Sequence, residues 1–169
     1  DFLRSSICYG VSRAGKTIFA AGFPRPAILT SAREGGWKSV STMDKGLRYE
    51  PKFKPLLFVV ESKHGNIQSF LKEVNAYLQE IERRVKSGEV KTLVLELSFY
   101  SQEVVRSFGD AEKNGWAKYA FLQDHITMID EMTKAGGARV HYNAIAHDPD
   151  KEGAPGGIVV DGRALARKL

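Results

Sequence analysis

Cysteine is almost absent from this chain, since Cys8 is the only one among 169 residues. A single cysteine excludes an internal disulfide and a cysteine-based metal cluster, and we expect Cys8 to be a small residue of a buried strand. Also missing is any apolar run near the roughly 18 residues that cross a bilayer, and the first residues lack the architecture of a secretory signal peptide. We therefore expect a soluble, cytoplasmic protein with no membrane partner.

The length of 169 residues fits one domain, residues 1–169, which can bury a core without disulfides or metals. Lys and Arg outnumber Asp and Glu by 25 to 20, which gives a formal net charge of +5. A positive balance favours polyanionic partners, but one of this size also arises without such a partner. Charge alone therefore does not establish nucleic-acid binding.

The most specific motif in the sequence is a phosphate-binding P-loop of the form G-x-x-x-x-G-K-[ST]. Its eight positions are occupied by Gly10, Val11, Ser12, Arg13, Ala14, Gly15, Lys16 and Thr17. In such a loop the backbone N–H groups surround a phosphate chain, the lysine reaches the outer phosphates and the hydroxyl binds Mg²⁺. A strand-like run precedes the motif and a helix-like run follows it, as the motif requires. We interpret it as a site for a nucleoside triphosphate with Mg²⁺, the alternative being a glycine-lysine turn that matches by chance.

Strand-like and helix-like segments alternate along the chain. Short apolar runs predict strands at residues 6–9, 27–30, 56–60, 92–95, 139–146 and 158–160. Apolar residues three and four positions apart predict two helices, from Ile67 to about Gly88 and from Trp116 to about Gly136. Residues 35–55 read as a long surface excursion and residues 98–114 as a polar connection. Together these segments predict an α/β domain with a mostly parallel central sheet flanked by helices, and a ligand at the carboxyl ends of the strands.

Three polar side chains follow predicted strands and are candidates for chemistry at the phosphates. Glu96 ends the fourth strand in the place of a Walker B acid and would hold Mg²⁺ with Thr17, unless it faces solvent. Glu34 follows the second strand and would act as a general base on the attacking water, unless it is an exposed turn residue. His147 ends the fifth strand and would contact the terminal phosphate, unless it has a structural partner instead.

The order and spacing of these motifs resemble the RecA-like P-loop ATPases of bacteriophages, small recombination proteins of the RecA/RadA superfamily that include single-strand annealing types. The matching pieces are 9–17, 21–24, 34–36, 92–98, 115–116 and 146–147. The resemblance implies a RecA-like ATPase that assembles along single-stranded DNA in the cytoplasm of a bacterial host, with ATP and Mg²⁺ bound between neighbouring subunits of a homo-oligomer. It also implies that Lys16 and Glu34 are catalytic and that His147 is the sensor of the γ-phosphate.

The same resemblance implies that the segments following Glu96 and His147 face DNA. Basic and aromatic side chains that could contact phosphates and bases there are Arg106, Lys113, Lys118, Lys151, Tyr100, Phe108 and Trp116. Solvated charges and a core position for Trp116 are the alternatives.

Two departures from the family pattern affect the expected activity. Glu96 stands where Asp is usual, and Ser31, Ala32 and Arg33 precede Glu34 in place of the acidic residues that such proteins often show, which implies slow or absent hydrolysis. The chain also ends where these proteins continue, which implies a domain truncated at its C-terminus. Two other functions remain open on this sequence: a nucleotide-dependent assembly protein without DNA, and a P-loop kinase of small molecules.

Overall fold

A computed structural model describes residues 5–41, 54–109, 115–146 and 158–159 of the chain. Strands and helices alternate through these residues, as the sequence pattern predicts. In chain order the elements are β1 Ser6–Gly10, α1 Lys16–Ala21, β2 Pro26–Ser31, α2 Gly36–Ser41, β3 Leu56–Val60, α3 Ile67–Lys86, β4 Thr92–Glu96, α4 Leu97–Ser107, α5 Trp116–Ala135, β5 Arg139–Ala146 and β6 Ile158–Val159.

Five parallel strands form the sheet in the order β1-β5-β4-β2-β3, and β6 pairs with β5 in the antiparallel direction. The register places Gly10 of β1 beside Ile145 of β5, and Glu96 of β4 beside Asn143 of β5. The carboxyl ends of these three strands therefore meet at one edge of the sheet, where the P-loop motif begins. This parallel sheet flanked by helices is an α/β architecture, consistent with a Rossmann-like or P-loop-like fold.

The sheet is covered by helices on both faces. Helices α3, α4 and α5 pack on one face, where Phe70 and Leu122 lie in the same buried cluster as Leu93 and Leu95 of β4. Helices α1 and α2 contribute a smaller cluster on the other face, which includes Val94 of the same strand. Because side chains alternate along a strand, Glu96 shares the α1 and α2 face with Val94.

The two long predicted helices are confirmed within one or two residues. Helix α3 begins after Asn66, whose side chain accepts a hydrogen bond from the Ser69 N–H at 2.8 Å. Such a cap satisfies one of the backbone donors that a helix start leaves without a partner. Helix α5 spans Trp116–Ala135 and ends at Gly136.

Two segments differ from the sequence-based interpretation. The polar connection expected at residues 98–114 begins as helix α4, which buries Leu97, Tyr100 and Val104 against the core. Its serines give the segment a polar pattern, yet they are buried because their hydroxyls donate hydrogen bonds to carbonyls of the same helix. Ser101 donates to the Ser98 carbonyl at 3.0 Å and Ser107 to the Val104 carbonyl at 2.6 Å. The surface excursion expected at residues 35–55 also contains a helix, α2.

Cys8 lies in a more open position than the expected buried strand. Among the described strands β1 pairs only with β5, so it forms an edge of the sheet and Cys8 is half-buried. Within the described ranges, no helix has both the length and the apolar character needed to cross a membrane.

Candidate functional site

A cavity of about 570 Å³ opens at the carboxyl edge of the sheet. Four segments that are distant in sequence supply its walls: the P-loop, the turn between β2 and α2, the junction of β4 with α4, and the end of β5. The structure thus brings together Lys16, Thr17, Glu34 and Glu96, which the sequence singled out separately. His147 lies outside the described residues, as do Lys113 and Lys151, two of the basic residues expected to face DNA.

The backbone of the P-loop adopts a left-handed conformation at two positions. Gly15 has a φ of 81° and Arg13 a φ of 66°. Gly15 adopts this conformation freely because it has no Cβ, whereas Arg13 takes a conformation uncommon for residues other than glycine. Within the described part of the chain, the amides of Arg13, Gly15 and Lys16 meet no protein acceptor. Amides left without a protein partner in such a loop are what an anion-binding site offers to a phosphate.

The Lys16 ammonium bonds to the loop from which it projects. It donates to the Gly10 carbonyl at 3.0 Å and to the Val11 carbonyl at 2.8 Å. These bonds hold a positive charge across the mouth of the loop and on the cavity wall. A fixed ammonium at this point is suited to binding the outer oxygens of a phosphate chain.

Thr17 and Glu96 meet directly on the floor of the cavity. The Thr17 hydroxyl donates to Glu96 Oε1 at 2.7 Å, and the Asn143 amide donates to the same oxygen at 2.9 Å. A hydroxyl and a carboxylate are the hard oxygen ligands that Mg²⁺ prefers, so this pair fits the metal that the motif implies. Glu96 therefore does not face solvent, which was the alternative reading of its position, and only 4% of it is exposed.

The pKa of the Glu96 carboxyl is raised to about 7, mainly by burial and to a smaller extent by the nearby charge of Glu34. The hydrogen bonds from Asn143 and Thr17 and the charge of Lys16 oppose this rise. The carboxyl is therefore partly protonated near neutral pH, and a divalent cation at the site would favour its ionised form.

Gly36 leaves the space that this pair needs. A Cβ at Gly36 would lie 2.5 Å from the Thr17 hydroxyl oxygen and 2.8 Å from Glu34 Oε1. Both distances are shorter than real Cβ contacts, so any side chain here would displace the Thr17 hydroxyl. The start of α2 can therefore lie close to the start of α1 only because residue 36 is a glycine.

Glu34 holds the first turn of α2. Its two carboxylate oxygens accept hydrogen bonds from the Gly36 N–H at 2.7 Å and from the Trp37 N–H at 3.2 Å. These bonds fix the carboxylate on the cavity wall, on a different segment from the P-loop. The position suits a residue that orients a water molecule between the P-loop and the turn that joins β2 to α2.

Asn143 belongs to a chain of polar contacts that sequence reasoning missed. Its side-chain oxygen lies 3.1 Å from His141 Nε2, and His141 Nδ1 lies 2.8 Å from the Ser6 hydroxyl. Because the Asn143 nitrogen donates to Glu96, its oxygen accepts a hydrogen bond from His141 Nε2, and in the neutral form of His141 the Nδ1 atom accepts from the Ser6 hydroxyl. Burial lowers the pKa of His141, in agreement with this neutral form. The sequence signal that could have indicated this chain is the pair His141 and Asn143, two polar residues at alternate positions of a buried, mainly apolar strand.

A second, more open groove of about 410 Å³ adjoins the cavity. It is lined by Gly15, Ile18, Phe19, Gly22 and Phe23. Gly15 and Ile18 line both spaces, so the apolar groove continues directly from the polar cavity.

The aromatic residues expected to face DNA lie in three different environments. Tyr100 is wrong as a DNA contact, because it is fully buried and hydrogen-bonds to His125 Nε2 at 2.7 Å. Phe108 is half-buried and stacks edge-on against Phe121. Trp116 is the opposite of a core residue, since 82% of it is exposed at the start of α5.

A scan of the sequence against protein-family models found no match, and a search of curated protein sequences found no significant relative.

Proposed function

We propose that this domain binds ATP with Mg²⁺ in the cavity at the carboxyl edge of the sheet and hydrolyses it slowly. The observation that carries the proposal is the direct bond between Thr17 and Glu96, which are 79 residues apart in sequence. It joins the metal-binding hydroxyl of the P-loop motif to an acid at the end of β4, which is separated from β1 by β5, and metal-assisted phosphoryl transfer uses such a pair to hold Mg²⁺. In this assignment Lys16 and the loop amides hold the phosphates, and Glu34 orients the attacking water.

The groove beside the cavity favours a nucleotide, and not a polyphosphate without a base, as the ligand. It extends along α1 from Gly15 to Phe23, and two aromatic rings line it. Aromatic faces stack on a nucleobase without reading its edges. We therefore assign the phosphates to the cavity and the base to the groove.

The binding step is tested by thermal melting with Mg²⁺ and ATP-γ-S. A ligand that binds only the folded state raises the melting temperature by mass action. We expect this rise in the parent and in Lys72→Ala, which removes an exposed charge from α3, and its loss in Lys16→Ala. Equal rises in all three proteins would show that the nucleotide does not use this loop.

We propose further that the domain acts on single-stranded DNA as a RecA-like protein of phage recombination, annealing or repair, assembled as a homo-oligomer with ATP between subunits. The exposed Trp116 supports the DNA partner, together with Lys118 and Tyr119 beside it at the start of α5, where the Lys118 ammonium lies 5.4 Å from the centre of the Tyr119 ring. Basic groups that track phosphates and aromatic faces that stack on bases hold single strands without sequence preference.

The DNA partner is tested by binding of labelled oligo-dT at several salt concentrations. We expect Trp116→Ala to weaken binding about tenfold, because one base–aromatic stack is lost. Met128→Ala is the matched control, since it removes an exposed apolar side chain about 18 Å further along the same helix. ATP turnover that DNA does not stimulate, together with binding that does not weaken as salt rises, would favour the assembly protein or the kinase instead.

A further inference from the structure

Glu103 is a buried carboxylate that the proposed chemistry does not use. Only 4% of it is exposed, on helix α4, and its Oε1 accepts a hydrogen bond from the Ser31 hydroxyl at 3.1 Å. The same oxygen forms an ion pair with Arg33 Nε at 2.9 Å. Ser31 ends β2, and its hydroxyl also accepts a hydrogen bond from the Arg33 N–H at 3.1 Å. Glu103 therefore fixes the turn that carries Arg33 and, one residue later, Glu34.

Arg33 reaches the wall of the same cavity as Lys16 and Thr17. Its closest approach to Glu103 is through Nε, and within the described residues its terminal amino groups donate no hydrogen bond to a protein acceptor. A guanidinium held at one nitrogen keeps a planar pair of donors that matches phosphate oxygens. Because Glu103 already restricts the side chain, less rotational freedom is lost when those donors bind a ligand.

Arg106 shows that this placement is particular to Arg33. Arg106 lies 4.0 Å from the same oxygen of Glu103, and the two arginine side chains are similarly exposed, 49% for Arg106 and 43% for Arg33. Arg33 lines the cavity, whereas Arg106 is not among the lining residues. The structure thus supplies two arginines on one carboxylate, of which one faces the site.

We propose that Arg33 binds the terminal phosphate of the nucleotide held by its own chain and that Glu103 is the residue that positions it. This inference rests on the proposed function and adds a phosphate ligand to it. The loop amides would surround the inner part of the phosphate chain and Lys16 would reach its outer oxygens from the side of the P-loop, whereas Arg33 projects from the turn that also carries Glu34. That turn forms a separate wall of the cavity, where the terminal phosphate and the attacking water would lie. Arg33 thus discriminates a triphosphate from a diphosphate.

The test measures dissociation constants of Mg²⁺ with ATP and with ADP by titration calorimetry, without DNA. In Arg33→Gln we expect ATP binding to weaken about tenfold to hundredfold, as for a lost charged hydrogen bond, while ADP binding changes less than about twofold. Arg33→Lys should recover part of the loss, because it keeps the charge without the fork. Arg106→Gln, the matched control, should leave both constants unchanged.

Glu103→Gln tests the positioning role, with its melting temperature measured to verify folding. We expect it to reduce the preference for ATP over ADP and to leave the binding of ADP in place. Equal preferences in the parent and in Arg33→Gln, or equal losses for ATP and ADP, would overturn the inference and leave ATP binding intact. A parent that binds neither nucleotide would overturn the proposed function as well.

Discussion

Replacement of Glu96 by Gln should stabilise the protein near neutral pH, although it removes a residue of the candidate site. The pKa of Glu96 is raised from 4.5 to about 7 by burial. Between these two values the unfolded chain has lost the proton and the folded protein still holds it, so the folded state becomes less stable as pH rises. One pKa unit corresponds to 1.36 kcal/mol, which gives a cost of about 3 kcal/mol above pH 7. Glutamine carries no charge to desolvate, and its amide oxygen can accept the hydrogen bonds from Thr17 and Asn143.

Urea unfolding at pH 5, 6, 7 and 8, without nucleotide or Mg²⁺, measures this effect. We expect the difference in unfolding free energy between Glu96→Gln and the parent to be small at pH 5 and to grow to about 3 kcal/mol at pH 8. Glu131→Gln, on the exposed side of α5, controls for the loss of one negative charge and should stay within about 0.5 kcal/mol of the parent. A difference that does not change with pH, or a variant less stable than the parent at pH 8, would refute the reasoning.

Addition of Mg²⁺ and ATP at pH 8 should make the parent more stable than Glu96→Gln, which reverses the order expected without them. The ionised carboxylate of the parent can bind the cation, whereas the glutamine amide is a weaker ligand, so the parent should gain more in melting temperature. This second measurement depends on the proposed function, and the pH series does not.

Three further substitutions test the site and the core. Gly36→Ala places a methyl group against the Thr17 hydroxyl, so we expect a loss of about 1–3 kcal/mol in urea unfolding and weaker Mg²⁺–ATP binding; Gly35→Ala, where a Cβ meets nothing within 4 Å, should change neither. Phe19→Ala should weaken ATP about tenfold in calorimetry and leave inorganic tripolyphosphate unchanged, because it removes a stacking surface and no phosphate contact; an equal loss for both ligands would contradict the groove assignment. Phe70→Ala should cost about 3–5 kcal/mol in urea unfolding, since this fully buried ring would leave a cavity in the larger core.

The sequence predicts the fold well where hydrophobic periodicity decides the structure. Helix α3 repeats apolar residues at helical spacing over five turns, and β4 is a continuous apolar run, so both could be located from local pattern alone. Helix α4 could not, because part of its buried face is polar. Glu103 is buried there against Ser31 and Arg33, and its hydrogen bond with Ser31, 72 residues away in sequence, leaves no local signal.

The candidate site follows the same division. The P-loop motif is contiguous, so its glycines, Lys16 and Thr17 could be singled out as candidates from the sequence alone. Asn143 joins the site through strand order and register, since β5 lies between β1 and β4 and brings Asn143 beside Glu96. Arg33 joins it through the ion pair with Glu103 on α4. Such neighbours depend on the packing of the whole sheet, so their roles are visible only in three dimensions.

The energetic balance at Glu96 indicates why a costly residue occupies this position. A carboxyl whose pKa is raised to about 7 by burial destabilises the free domain at neutral pH, and the domain would be more stable with an apolar or amide side chain at this position. Asn143 offsets part of the cost with one hydrogen bond, and its own oxygen is satisfied by His141, which accepts in turn from exposed Ser6. A chain of this kind, with each member satisfied by the next, holds the carboxyl in one orientation. Fold stability alone gives no reason to maintain this arrangement, whereas a cation bound between Glu96 and Thr17 would turn the unfavourable charge into a favourable contact.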